Sequence, residues 1–182
     1  KQMVEYFLFH RREVVTRRTV YQLRKARERG HVLEGLAVAL ANIDEFIAII
    51  KAAPTPPEAR QALMARTWDS SLVRSMLERA DQGHTPGGSV AFRPEGLPEK
   101  YGLQPDGMYR LSDTQAQEIL NMRLQRLTGL EQEKITEEYR NIMETIADLL
   151  DILARPERVT AIIADELIAI KQEYSVNAKD ER

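Results

Sequence analysis

"LEGLAVALANIDEFIAII", residues 33–50, decides how this chain folds. Leu33, Leu36, Leu40, Ile43, Ile47 and Ile50 recur at intervals of three and four, the a/d spacing of a helix that packs along a partner helix. Alanines at 37, 39, 41 and 48 raise helix propensity beside that seam. The helical pattern extends upstream. From about Val4 to Lys51 there is no proline, and only Gly30 and Gly35 interrupt, each at a cost of roughly 1 kcal/mol against Ala. Ala52, Ala53 and Pro54 end the helix.

The upstream half has a different character. "RREVVTRRTVYQLRKARERGH", residues 11–31, holds eight Arg or Lys against two Glu and keeps only Val15, Val20, Tyr21, Leu23 and Ala26 for packing. Its partner is found later in the sequence. Ile135, Tyr139, Ile142, Ile146, Leu149 and Leu153 repeat the 3.5-residue period, up to "ARPER", where Pro156 blocks one helix and suits the first turn of the next. Val159, Ile163, Leu167, Ile170 and Tyr174 form a third stripe ahead of a polar tail. At roughly 1.5 Å per residue, residues 4–51 make a rod of about 70 Å and the two returning helices together about 63 Å. The expected fold is therefore all-α: a long antiparallel coiled-coil arm with a small, mostly helical knob at its tip. The expected boundaries are 1–53 for the outgoing helix, 54–130 for the knob, 131–175 for the returning helices and 176–182 for a frayed tail.

Charge agrees with pairing between the outgoing and returning parts. The whole chain has 26 basic and 28 acidic residues, net −2, which excludes a protein that coats nucleic acid wholesale. Residues 11–29 nevertheless sum to +6, while residues 131–182 carry thirteen acids against seven bases. Antiparallel pairing sets these segments side by side, so part of the segregation is mutual. There is no cysteine, hence no disulfide framework and no thiolate nucleophile. No apolar run approaches the ~18 residues of a membrane span. The opening KQMVEYFLF reads as neither a signal peptide nor a natural start, and the chain is read as a piece of a longer protein.

Within the knob, Thr55-Pro56-Pro57-Glu58 reads as a capping box that starts a helix through Leu63, and Leu72, Val73, Met76, Leu77 and Ala80 mark another. Residues 81–110 hold six of the nine glycines and read as loop with a "QPDGM" turn. Ser112 with Gln115 is a second capping box. It opens a helix whose face is Ala116, Ile119, Leu120, Leu124 and Leu127, with Gly129 past its end. Met122 and Leu130 lie off that face, which calls for a second packing partner, in a small knob a further copy of the chain. No catalytic constellation is present. His10, His31 and His84 are scattered and read as surface or packing residues, "GHTPGG" lacks the phosphate-loop lysine, and no metal-ligand spacing occurs.

The two blocks "RREVVTRRTVYQLRKARERGHVLEGLAVALANIDEFIAIIK" and "LSDTQAQEILNMRLQRLTGLEQEKI", in this order, closely resemble the A-subunit family of bacterial DNA gyrase, a type IIA topoisomerase. Gly30 stands where that family usually has alanine. The resemblance implies an ATP-dependent enzyme that supercoils DNA by passing one duplex through a transient break in another. ATP and Mg2+ would be bound through the B subunit, with no cofactor in this segment. It implies a cytoplasmic homodimer whose arms end in an exit gate, with duplex DNA and the B subunit as partners. The family's nucleophilic tyrosine follows an arginine; no tyrosine here does, so no catalytic residue is assigned. The gate contact is expected at Ile119, Leu120, Met122, Leu124 and Leu127, with Tyr101, Leu103 and Met108 in a second rank. Arg11, Arg12, Arg17 and Arg18 are expected to touch passing DNA transiently. The alternatives are a topoisomerase IV A-type segment, a basic coiled coil that grips nucleic acid, and a structural spacer.

Overall fold

A computed structural model describes residues 1–80, 88–122, 126 and 128–180. The chain is mostly helical, as its periodicity requires. Among the described residues seven α-helices are bounded: α1 (Gln2–Ala41), α2 (Ile43–Ala52), α3 (Pro56–Ala65), α4 (Ser71–Ala80), α5 (Asp113–Asn121), α6 (Gln132–Ala154) and α7 (Pro156–Asp180). Three short strands, β1 (Trp68–Asp69), β2 (Gly102–Leu103) and β3 (Met108–Arg110), form an antiparallel sheet in the order β1-β3-β2. The chain divides into two compact units, Lys1–Leu23 with Ala147–Arg182, and Arg24–Ile146.

In the first unit, Val15, Leu23, Leu149, Ile152, Val159 and Ile163 are buried. The start of α1 is tied to α7 by charge. Glu166 accepts hydrogen bonds from both Arg11 and Arg18 at 2.5 Å, and Arg12 reaches the Thr160 hydroxyl at 2.8 Å. Arg158 clamps Asp148 and Asp151 across the α6–α7 turn. The third apolar stripe holds only in its first half. Leu167, Ile170 and Tyr174 are exposed, as are Met3, Tyr6 and Phe9 at the start of α1.

In the second unit, α1 passes unbroken through Gly30 and Gly35, since neighbouring groups cover the helix there. A β-carbon on Gly30 would stand 2.9 Å from Met143 Cε, and one on Gly35 would stand 3.1 Å from both Cβ and Cγ of Gln115. The break falls instead at Asn42, which the heptad reading passed over. The Asn42 side chain donates to the Val38 carbonyl at 2.9 Å, beside its own N–H, which is shared between the Val38 and Ala39 carbonyls at 3.1 and 3.3 Å, so the last turn of α1 tightens and closes on itself. This redirects the seam. Leu33 and Leu36 are buried as expected, whereas Leu40, Ile43, Ile47 and Ile50 are only half-buried and Phe46 is fully enclosed in their place. Phe46 packs on Trp68, ring centroids 4.2 Å apart, and the Trp68 indole donates to the Leu63 carbonyl.

The sheet was not legible in the sequence. Strands of two and three residues carry too few positions for a period-two signal. Trp68 stands opposite Tyr109 and Leu103 opposite Tyr109 on the other side, so buried aromatics pin the register. The expected "QPDGM" turn is present. Gly107 takes φ 81°, its N–H reaches the Gln104 carbonyl at 2.9 Å, and Asp106 accepts the Met108 N–H. Thr55 makes no side-chain cap on α3, contrary to the capping-box reading, and the prolines of the first turn initiate that helix without it. The Ser112–Gln115 box is formed in both directions. The helix it opens ends at Asn121, with Met122 in extended backbone, short of the expected Gly129.

The two α1 glycines respond to the same substitution in opposite ways. Gly30→Ala meets the far end of a flexible Met143 side chain and, at an ordinary 3.4 Å, Ile142 Cγ2, so removing glycine's entropy cost is expected to raise stability by up to about 1 kcal/mol. Gly35→Ala meets the inner carbons of a hydrogen-bonded Gln115 and is expected to lose about 1–3 kcal/mol as an overpacked site. Urea titration of both variants checks the signs; a stabilised Gly35→Ala contradicts the close approach.

Candidate functional site

The densest polar chemistry of the second unit lies inside it. Glu34 leaves α1 toward two tyrosine hydroxyls. Tyr109 donates to one carboxylate oxygen and Tyr139, from α6, to the other, each at 2.6 Å. Tyr139 was expected on the returning seam as a packing residue, and its ring is fully buried there. Gln115 Nε2 donates to the Tyr109 hydroxyl and to the His31 carbonyl, both at 2.7 Å, and lies 3.3 Å from His31 Nδ1. His31 Nε2 lies 2.7 Å from the Ser112 hydroxyl. Gln115 Oε1 accepts the Ser112 N–H at 3.0 Å. An unbroken chain of polar contacts thus joins α1, β3, α5 and α6.

Donor supply dictates protonation in this cluster. Gln115 Nε2 gives its two hydrogens to the His31 carbonyl and the Tyr109 hydroxyl and cannot accept, so a proton on His31 Nδ1 would face a donor, and the neutral ring carries its proton on Nε2, facing Ser112. Protonated His31 would oppose donor to donor. Burial, and secondarily the positive charge of Arg93, pushes the imidazole down to about 4. Burial raises the Glu34 carboxyl, against the pull of the two tyrosine hydroxyls. It also lifts both phenols well above their ordinary range, with the Glu34 charge adding to the effect. Glu34 keeps some surface toward a cavity of about 160 Å3 shared with His31, Leu77, Arg93 and Leu103. From sequence, His31 and Tyr139 read only as packing or surface residues and Ser112 with Gln115 only as a capping box; no polar cluster was expected. The spacing of Glu34 after His31 is unremarkable on a helix, and only the crossing of α5 over Gly35 makes the pair meaningful.

The residues expected at the gate divide between α5 and the sheet. Ile119, Leu120 and Met122 belong to α5 and its end; Leu103 and Met108 lie on β2 and β3, with Tyr101 just before β2. Ile119 is 1 % exposed and packs inside the unit. Leu120, Met122, Tyr101, Leu103 and Met108 are half-buried. Leu124 and Leu127 lie outside the described residues, as does His84. The expected DNA-contacting arginines are all partnered: Arg11 and Arg18 to Glu166, Arg12 to Thr160, and Arg17 to Glu13 one turn away at 2.5 Å. Glu166 is held below the usual carboxylate range first by its hydrogen bond from Arg18. Among the described residues no group of three or more His, Asp or Glu could hold a metal ion, and no helix is long and apolar enough to cross a membrane.

The family model for the A subunit of DNA gyrase/topoisomerase IV matches residues 1–168. The chain belongs to that family. It is 56 % identical over 174 residues to the DNA gyrase A subunit of Pseudomonas aeruginosa, covering 96 % of this chain and 18 % of that protein. It is 50 % identical over 181 residues to the corresponding gyrase protein of Neisseria gonorrhoeae, covering 100 % of this chain and 19 % of that one. With the Escherichia coli K12 gyrase protein the identity is 55 % over 139 residues, 76 % of this chain and 15 % of that protein. The chain thus spans less than a fifth of the length of these gyrase A subunits.

Proposed function

We propose that this chain is the exit-gate segment of a DNA gyrase A subunit, dimerising through the end of α5 and neighbouring strands to control release of the transported duplex. The observation that carries the reading is the family match across residues 1–168, to which relatives named as gyrase A subunits bring 43–56 % identity. The half-buried apolar positions Leu120 and Met122, beside the exposed polar positions Thr114, Glu118 and Asn121 of α5, suit a contact that opens and recloses: apolar at its centre and modest in area. In the full-length protein this contact would serve ATP-dependent supercoiling in the cytoplasm, with ATP and Mg2+ bound through the B subunit. Arg11, Arg12, Arg17 and Arg18 would then exchange their present carboxylate and hydroxyl partners for phosphates of a passing duplex, a weak and salt-sensitive contact.

Sedimentation equilibrium over a concentration series tests the gate. The wild-type chain is expected to dimerise, and Met122→Asp to raise the dissociation constant at least 100-fold, since a charge would be desolvated in the contact. Far-UV circular dichroism should be nearly unchanged, because Met122 lies past the last turn of α5. A wild-type chain that is monomeric at every concentration removes the reading. Tight, salt-dependent binding of duplex DNA or tRNA by such a monomer would favour a nucleic-acid-gripping arm instead.

A further inference from the structure

Gln115 occupies the third position of α5, where a capping glutamine ordinarily needs only its own helix. Here the same side chain spans three elements. Its Oε1 closes the cap on the Ser112 N–H at 3.0 Å, while its Nε2 donates to the His31 carbonyl of α1 and the Tyr109 hydroxyl of β3, both at 2.7 Å. The residue is 1 % exposed. Its stem lies against Gly35 so closely that an added β-carbon there would stand 3.1 Å from Gln115 Cβ and Cγ. Both of its acceptors are themselves held. The His31 carbonyl belongs to an unbroken stretch of α1, and the Tyr109 hydroxyl is anchored to Glu34.

α5 has only nine residues, about 13 Å at the usual helical rise, with Ala116 and Ile119 as its buried apolar contacts. Its other polar restraint comes from α3, where Arg60 reaches Gln117 and Asp113 at 3.3 Å, through a half-exposed side chain. The N-terminal anchor is the rigid one. A shift there is passed along the helix to its end, where Leu120 and Met122 stand beside the buried Ile119.

We propose that Gln115 is a positioning residue for the dimer contact: by crossing α5 over Gly35 and bonding it to α1 and β3, it fixes the direction in which Leu120 and Met122 are presented. This rests on the gate reading above. The variant Gln115→Leu keeps the side chain's bulk and removes all of its donors and its acceptor. Tyr139→Phe loosens the same polar cluster from α6 without touching α5, and so serves as the control for general loss of stability.

The chain has no cysteine, so spin labels at Arg24→Cys on α1 and Glu118→Cys on α5, carried on chains diluted into an excess of unlabelled chain, report the one intramolecular distance free of pairs between copies. The wild type and Tyr139→Phe should give one narrow distribution, and Gln115→Leu one at least twice as wide. In sedimentation equilibrium, Gln115→Leu should weaken the dimer at least tenfold, while Tyr139→Phe changes it less than threefold. A distribution unchanged in Gln115→Leu overturns the proposal. So does a wild-type dimer matched in affinity by Gln115→Leu, which would leave the gate reading intact. A wild type that never dimerises removes the gate reading itself.

Discussion

Glu34→Leu is expected to lower folding stability by about 4 kcal/mol, because it leaves the Tyr109 and Tyr139 hydroxyls without the acceptor they share, at roughly 1–3 kcal/mol for each orphaned buried donor. Leucine is chosen over alanine because it occupies the carboxylate's volume and denies the adjoining cavity a water that could take the carboxylate's place. The effect belongs to unmatched polarity and not to the loss of a charge. Restoring the match should therefore restore stability. The triple variant Glu34→Leu, Tyr109→Phe, Tyr139→Phe removes acceptor and donors together and is expected to recover most of the loss, with Gln115 keeping His31 as its acceptor. Guanidinium titrations of the wild type, Glu34→Leu, the double variant Tyr109→Phe, Tyr139→Phe and the triple variant measure the coupling. A single Glu34→Leu variant within 1 kcal/mol of wild type, or a triple variant no better than the single, contradicts the network as described.

The second large effect is a pH dependence centred on His31. Its imidazole is pushed down from 6.5 to about 4 in the folded unit, so between those values the unfolded chain binds a proton there that the folded chain does not. Stability therefore falls as pH falls through that window, and a difference of about 2.5 pK units corresponds to about 3 kcal/mol lost once the window is crossed. The groups facing His31 are Arg93, whose charge reinforces the shift, Gln115 and Ser112. Glu34 acts in the opposite sense. Its raised carboxyl takes a proton more readily in the folded state and adds stability on acidification, so the net slope is smaller than the His31 contribution alone. His31→Gln separates the two. The difference in unfolding free energy between wild type and His31→Gln, followed from pH 7.5 to 4, should shrink by most of that 3 kcal/mol. A pH-independent difference shows that residue 31 does not titrate with unfolding.

Much of the architecture can be read from the sequence because it is local. The 3.5-residue period of residues 33–36 and 135–153, Pro156 at a helix start and the Ser112–Gln115 cap each depend on residues within a turn or two of one another. The charge segregation was equally visible, and Glu166 shared by Arg11 and Arg18 is one realisation of it. The family resemblance rested on two separated blocks of wording and held over residues 1–168. Where the reading slipped, a non-local contact or a competing side chain had intervened. Asn42 closes the end of α1 with its side chain on the Val38 carbonyl, and beyond that break Phe46 turns onto Trp68 in place of the expected isoleucines. In the returning helix, Met143 and Ile152 are buried more fully than Ile142 and Leu153, which the heptad had favoured.

By itself, the sequence determined most of the helical segments and where the basic and acidic stretches lie. Periodicity, charge and motif spacing are properties of neighbours along the chain. Only the tertiary structure decided that His31, Glu34, Tyr109, Gln115 and Tyr139 form one polar cluster. Their partners are separated by up to 105 positions, and whether a hydroxyl meets a carboxylate at 2.6 Å depends on how closely α5 can cross α1, which the absent side chain of Gly35 allows.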